Sequence, residues 1–242
     1  MLAAGIGRRL YGDNNRELPK ALLQIRGKTL IQRHVEAFSS FGIDELHLIV
    51  GHRSTDLLTE AQRWAVPGFI SSTFNPRYFE GPKLSLAKGS EVLCSGHDII
   101  FMDADVLYDV ELLRRLVNSE HPNCLLIDKH FQSTDDFVKV CLNDGLVVDF
   151  GKNVERSCDF LGEWPGLLKM NSKTAIKVAE TAGEYIERGD IEGAYEEVFR
   201  EVILNRNSSI FGVEDISGIP WIEIDYKSDL EKAQSEIISK IT

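Results

Sequence analysis

Apolar positions along this chain switch period in a regular way. Short continuous apolar runs occur at 2–4, 45–50, 69–74, 98–106 and 123–128, as buried strands require. Between them, residues 30–41, 56–64, 84–93 and 110–117 repeat apolar positions at helical spacing, as Leu30, Ile31, His34, Val35 and Phe38 show. Gly42 sits where a helix-terminating glycine belongs. Strand–helix alternation of this kind predicts crossover units and parallel pairing. A short strand is expected at 21–25, and the polar residues 11–18 read as a loop. The pattern changes after 128. Residues 137–148 read as two strands around an Asn143-Asp144-Gly145 hairpin turn, and 162–170 as one more strand. Helices are expected at 173–188 and 191–204, strands at 210–213 and 221–224, and a closing helix at 228–241 capped by Ser228. The expected fold is α/β: one domain over 1–242, a Rossmann-like three-layer sandwich with a mostly parallel central sheet. Residues 128–170 are expected to add a small mixed β lid.

A length of 242 residues supports one such domain with a sizeable core. The formal net charge of −11 argues against nucleic acid as a partner, because a phosphate backbone calls for a basic face. An acidic protein that handles anions must concentrate positive charge locally or borrow it from a divalent metal. Cys94, Cys124, Cys141 and Cys158 fit no zinc spacing and read as reduced thiols of a cytoplasmic protein. No apolar run reaches membrane-span length, and no secretory signal is visible, so no membrane association is expected.

Candidate chemistry begins at Leu2-Ala3-Ala4-Gly5-Ile6-Gly7-Arg8-Arg9-Leu10. Small residues leave room for a ligand, and glycine reaches backbone conformations in which successive N–H groups converge on an anion. Arg9 and Lys20 add fixed positive charge. Neither the dinucleotide fingerprint nor the P-loop pattern is present, and Gly5 with Gly7 alone also fits an ordinary turn. Only Met1 precedes this stretch, so the first strand is either trimmed or unusually short. Carboxylates stand at the ends of two later strands, Asp103 and Asp105 after 98–102 and Asp225 after 221–224. Ligands of open α/β sheets gather at such strand ends.

The whole string L-A-A-G-x-G-x-R-L, followed by P-K-A-L-L-x-I-x-G-K-x-L-I, resembles the amino-terminal signature of nucleotidyltransferases that join a nucleoside triphosphate to a phosphorylated small molecule. It runs from Leu2 to Leu10 and from Pro19 to Ile31. The resemblance extends through 75–86, 98–109 and the Trp221-Ile-Glu-Ile-Asp225-Tyr-Lys-Ser-Asp-Leu230 stretch. It is nearest to the small-molecule cytidylyltransferases. It implies that Leu2, Ala3, Ala4, Gly5, Gly7 and Arg9 cradle the nucleotide, that Lys20 contacts the phosphates in the transition state, and that Asp105 and Asp225 hold Mg²⁺. Asp103 is the rival of Asp105, or orients substrate and supports it. Arg8 or Arg9 points inward. Asn75, Gly81 and Ser85 match a base-reading loop, though Ser85 also suits a helix start. Lys152 is implied to contact the acceptor's phosphate, and Glu163 with Trp164 to hold a cationic amine; a packed tryptophan and a surface glutamate are the plain alternative. The implied activity transfers CMP from CTP to a small phosphate or phosphonate (phosphocholine, aminoethylphosphonate, another phosphonate or inositol phosphate), with pyrophosphate released. A sugar-1-phosphate nucleotidyltransferase using another nucleotide, and a catalytically silent nucleotide-binding regulator, stay open. The expected assembly is a monomer or homodimer.

Overall fold

The computed structural model describes residues 1–12, 17–130, 137–205 and 210–241. Part of the 11–18 loop and part of the 128–170 lid therefore lie outside the described residues. The first strand, β1 (Leu2–Ala3), is two residues long and pairs in parallel with β4 (Leu46–Val50), which pairs in parallel with β5 (Ile70–Phe74). On its other side β1 meets β6 (Ile99–Met102) through a Leu2–Asp103 bridge and an Ala104 N–H to Leu2 carbonyl bond of 3.1 Å. Beyond β6 come β12 (Leu167–Met170), β8 (Cys124–Ile127) and β13 (Gly212–Asp215). The central sheet thus runs β5-β4-β1-β6-β12-β8-β13, with only β12 antiparallel to its neighbours.

The pleat sorts side chains into two cores. On one face, Cys124 and Leu126 pack with α2 (Leu30–Ser40), α3 (Ser54–Trp64) and α6 (Val110–Asn118). On the other, Leu125 and Ile127 pack with α4 (Pro82–Lys88), α5 (Ser90–Leu93), α7 (Ser172–Glu187) and α8 (Glu196–Leu204). This is the expected three-layer sandwich. The single helix expected over 84–93 is broken at Gly89 into α4 and α5. No helix among the described residues is long and apolar enough to cross a membrane.

Several expectations are corrected. The lid sheet is wholly antiparallel rather than mixed, in the order β10 (Leu146–Gly151), β9 (Lys139–Asn143), β11 (Phe160–Glu163). Residues 162–170 form two strands, because Gly166 at φ +84° turns the chain and sends β12 back into the central sheet. Ser228 is not the final cap: α9 (Lys227–Lys232) starts earlier, with Tyr226 as its N-cap. Two smaller pairings complete the fold. β2 (Gln24–Ile25) and β3 (Lys28–Thr29) form a hairpin, and β7 (Val106–Tyr108) pairs antiparallel with β14 (Trp221–Glu223). Residues 21–25, expected as a strand, instead begin in a 3-10 turn, Lys20–Leu22, closed by Leu22 N–H on the Pro19 carbonyl.

The lid shares the α7–α8 core through Val140, Val147 and Phe150, and a buried ion pair latches it. Arg200 donates to both carboxylate oxygens of Asp149 at 2.8 and 3.3 Å, and the N–H groups of Phe150, Glu155 and Arg156 add further bonds. Burial alone would raise the Asp149 pKa; these donors outweigh it and hold it at about 2. A depressed carboxylate stabilises the fold above its unfolded pKa, and that contribution disappears as pH falls through the folded value. Asp149 therefore supplies about 2 kcal/mol at neutral pH, lost between about pH 4 and pH 2. The urea midpoints of wild type and Asp149→Asn should converge over that window; a constant gap would refute the latch.

Tyr108 is 8 % exposed, and its buried hydroxyl has no partner among the described residues. Leaving such a group unpaired costs free energy, so Tyr108→Phe should leave stability unchanged or raise it by about 1 kcal/mol. A clear fall in urea midpoint would show a hidden partner.

Candidate active site

The turn after β1 is built for close approach. Gly7 lies at φ +75° and leads into the one-turn helix α1 (Arg8–Tyr11). A Cβ on Gly7 would lie 3.3 Å from the Lys20 side chain. Gly51, which the sequence reading did not single out, presses on the same turn: its Cβ would lie 2.8 Å from the Ala4 carbonyl oxygen.

The 3-10 turn after Pro19 aims Lys20 inward. Its ammonium donates to Asp105 Oδ2 at 2.9 Å and to Asp225 Oδ1 at 2.6 Å. Arg9 reaches the other Asp225 oxygen at 2.8 Å, which resolves its direction. Three segments from opposite ends of the chain thus meet at one point. Burial would lower the Lys20 pKa, but the two aspartates outweigh it and keep the group protonated well past neutrality.

The antiparallel pairing of β7 with β14 explains the convergence. Val106 faces Glu223, and Ile224 N–H bonds the Asp105 carbonyl at 3.0 Å, so the residues flanking both strands are held together. Asp229 accepts the backbone N–H groups of Asp225 and Tyr226 at 3.0 and 2.7 Å, which sets the direction of Asp225. Behind the 103–105 loop, the buried His34 donates through Nε2 to the Ala104 carbonyl at 3.2 Å. Burial lowers its pKa to about 4, so it is neutral at pH 7.

Glu223 completes the cluster. Asp105, Glu223 and Asp225 each offer a carboxylate oxygen within 4.8 Å of the others. Burial, then Asp105 and Asp225, push the Glu223 pKa well upward. Such a group of hard oxygen donors, which with Glu223 ionised sets three negative charges against the two of Lys20 and Arg9, suits a divalent cation. Asp103 stands beside it, accepting the Tyr195 hydroxyl, and burial and Asp105 raise its pKa.

The cluster lies on the wall of a cavity of about 970 Å³, at the upper end of small-ligand pockets. Leu2, Ala3, Ala4, Gly5, Gly7, Arg9, Lys20, Gly81, Ser85, Asp103, Asp105, Lys152, Trp164 and Asp225 all line it, as do Arg8, Glu223 and residues 191–196. Residues 191–195 were expected to be helical, but α8 begins only at Glu196, and Gly193 at φ +80° keeps the preceding segment irregular.

Two expected site residues lie elsewhere. Asn75 is fully buried behind the cavity, where its side chain donates to Ser85 Oγ at 3.0 Å and accepts from Arg77 N–H. It orients Ser85 rather than facing a ligand. Glu163 is not on the cavity wall; burial, then Asp128, push its pKa up to about 7. Strand alternation explains this, since adjacent residues of β11 and its continuation face opposite ways. Trp164 does touch the cavity, but it is 3 % exposed, donates its indole N–H to the Leu167 carbonyl and stacks on Phe101. No open ring face is left for a cationic amine.

The sequence profile of the MobA-like NTP transferase domain matches residues 1–134, more than half of the chain. The chain belongs to the MobA-like NTP transferase family. The chain is 23 % identical to the CTP:phosphoglutamine cytidylyltransferase of Campylobacter jejuni, over 96 % of both chains. It is 24 % identical to the CMP-5'-(3-aminopropyl)phosphonate synthase of Streptomyces rubellomurinus; that match covers 96 % of this chain but only 37 % of the longer relative. Its fold is that of the CTP:phosphocholine cytidylyltransferase from Streptococcus pneumoniae, with a TM-score of 0.75, 22 % identity and 96 % and 95 % of the two chains covered. The inositol-1-phosphate CTP transferase from T. maritima also gives a TM-score of 0.75, at 18 % identity, covering 100 % of this chain and 96 % of that one.

Proposed function

We propose that the chain is a Mg²⁺-dependent cytidylyltransferase that transfers CMP from CTP to a small phosphate or phosphonate and releases pyrophosphate. One observation carries the reading: Lys20 lies between Asp105 and Asp225 on the wall of a cavity whose neighbouring wall is the glycine turn. Relatives named a CTP:phosphoglutamine cytidylyltransferase and a CMP-5'-(3-aminopropyl)phosphonate synthase support the choice of CTP.

The reaction is an in-line displacement at the α-phosphorus. The acceptor's oxygen is already anionic near neutral pH, so alignment and charge neutralisation matter more than a general base. Backbone N–H groups of the Gly5–Gly7 turn receive the phosphates, and Arg9 and Lys20 offset the charge that builds on the departing pyrophosphate. Asp105, Glu223 and Asp225 would hold Mg²⁺, which when bound supplies further positive charge to the phosphates. Lys152, on the same cavity, receives the acceptor's phosphate. Ser85, oriented by Asn75, and the Gly81 backbone meet the base.

A panel pairing each nucleoside triphosphate with phosphocholine, aminoalkylphosphonates, inositol phosphate, amide phosphates and sugar-1-phosphates should show pyrophosphate release only with CTP and one acceptor class. Turnover with a sugar-1-phosphate and another nucleotide would replace this reading. Nucleotide binding without any turnover would support the silent regulator.

A further inference from the structure

The Lys83 side chain is fully buried, an unusual place for an ammonium. Burying an ammonium costs several kcal/mol unless it is compensated. Its Nζ lies 2.7 Å from Asp190 Oδ1, 2.7 Å from Glu197 Oε2 and 4.5 Å from the centre of the Tyr185 ring. Lys83 does not line the active cavity, so it touches no reacting group.

What it joins is informative. Gly81 and Pro82, just before it, and Ser85, just after, face the cavity. Asp190 and Glu197 bracket residues 191–196, which also line the cavity. The two walls touch directly: a Cβ on Gly81 would lie 2.2 Å from the Ile191 carbonyl oxygen. At the other end of the segment the Tyr195 hydroxyl donates to Asp103, beside the carboxylate cluster. One buried ammonium therefore ties both ends of the 190–197 strap to the start of α4, while Tyr195, near the strap's far end, ties it to the reaction centre.

We propose that Lys83 is a positioning residue that sets the width of the slot between α4 and the 190–197 strap, and through it the grip on the nucleotide's base. The assignment of this slot to the base rests on the function proposed above. A buried ion group suits the task, because two carboxylates on one ammonium hold two segments in a single register where an apolar contact would let them slide.

Lys83→Met keeps the stem and removes the charge. Its nucleotide Kd and KM should rise about tenfold or more, with kcat and acceptor KM changed by less than about twofold, the pattern of lost binding rather than lost chemistry. Tripolyphosphate, which has the phosphates but no base, should bind wild type and Lys83→Met equally. Nucleotide binding within about twofold of wild type, or equal weakening of tripolyphosphate and nucleotide, would overturn the proposal; a lower melting temperature alone would not rescue it. If Lys83→Met does not fold, the double variant Asp190→Asn with Glu197→Gln changes two half-exposed positions and must show the same split. The assay uses whichever triphosphate the wild type turns over. An error in base assignment then appears in the wild-type panel and leaves the Lys83 test intact.

Discussion

Lys20→Met is expected to lower kcat by about 10²–10³-fold, the usual cost of removing one preorganised donor to developing charge. The fold should survive. The methionine stem can occupy the same path past Gly7, whose Cβ position lies 3.3 Å from Lys20 Cγ. The loss should fall on turnover because the ammonium is fixed before substrate arrives: the Lys20 side chain is 12 % exposed, and two aspartates hold its ammonium. A free lysine in solvent would have to be ordered at the moment of reaction. Removing it leaves Asp105 and Asp225 facing each other without their shared counter-charge, so nucleotide binding should weaken as well. Single-turnover rates alongside a thermal melt provide the check. A variant that melts like wild type and retains a near wild-type rate would remove Lys20 from the chemistry.

Asp225→Asn should raise the Mg²⁺ concentration for half-maximal turnover by at least about tenfold, because hard cations depend on charged oxygen ligands. Asp225 also serves Lys20 and Arg9, so some turnover should be lost even at saturating Mg²⁺. Glu223→Gln should shift the Mg²⁺ requirement in the same direction with a smaller loss at saturation, since Glu223 forms no ion pair with either cation among the described residues. Metal titrations of both variants test this pair of expectations. An unchanged Mg²⁺ requirement in Asp225→Asn would mean that the carboxylate cluster serves the cations alone.

Much of this was legible before folding because it is local. Periodicity marks which face of an element is apolar, and so the strand–helix alternation and the position of the carboxylates at strand ends could be read directly. The glycine turn was legible through the longer string around it, since Gly5 and Gly7 alone also fit an ordinary turn. Asp225 and Asp229, four residues apart, carry a relation that the structure explains: one carboxylate accepts the backbone N–H of the other residue.

Other features depend on which segments become neighbours, and no local pattern encodes that. Glu223 joins Asp105 because of the register between β7 and β14. Glu163 and Trp164 look like a pair along the chain, but the pleat sends them to opposite sides, and the aromatic core claims the ring. Residues 191–195 carry a helical pattern, yet they stay irregular where Gly193 turns the chain and Tyr195 reaches Asp103. Nothing local to the chain marks Lys83, because its two carboxylates arrive from more than a hundred residues away. Local order in the chain is written by period and propensity; the meeting of distant side chains is written by sheet register and by the way charges are paired when water is excluded.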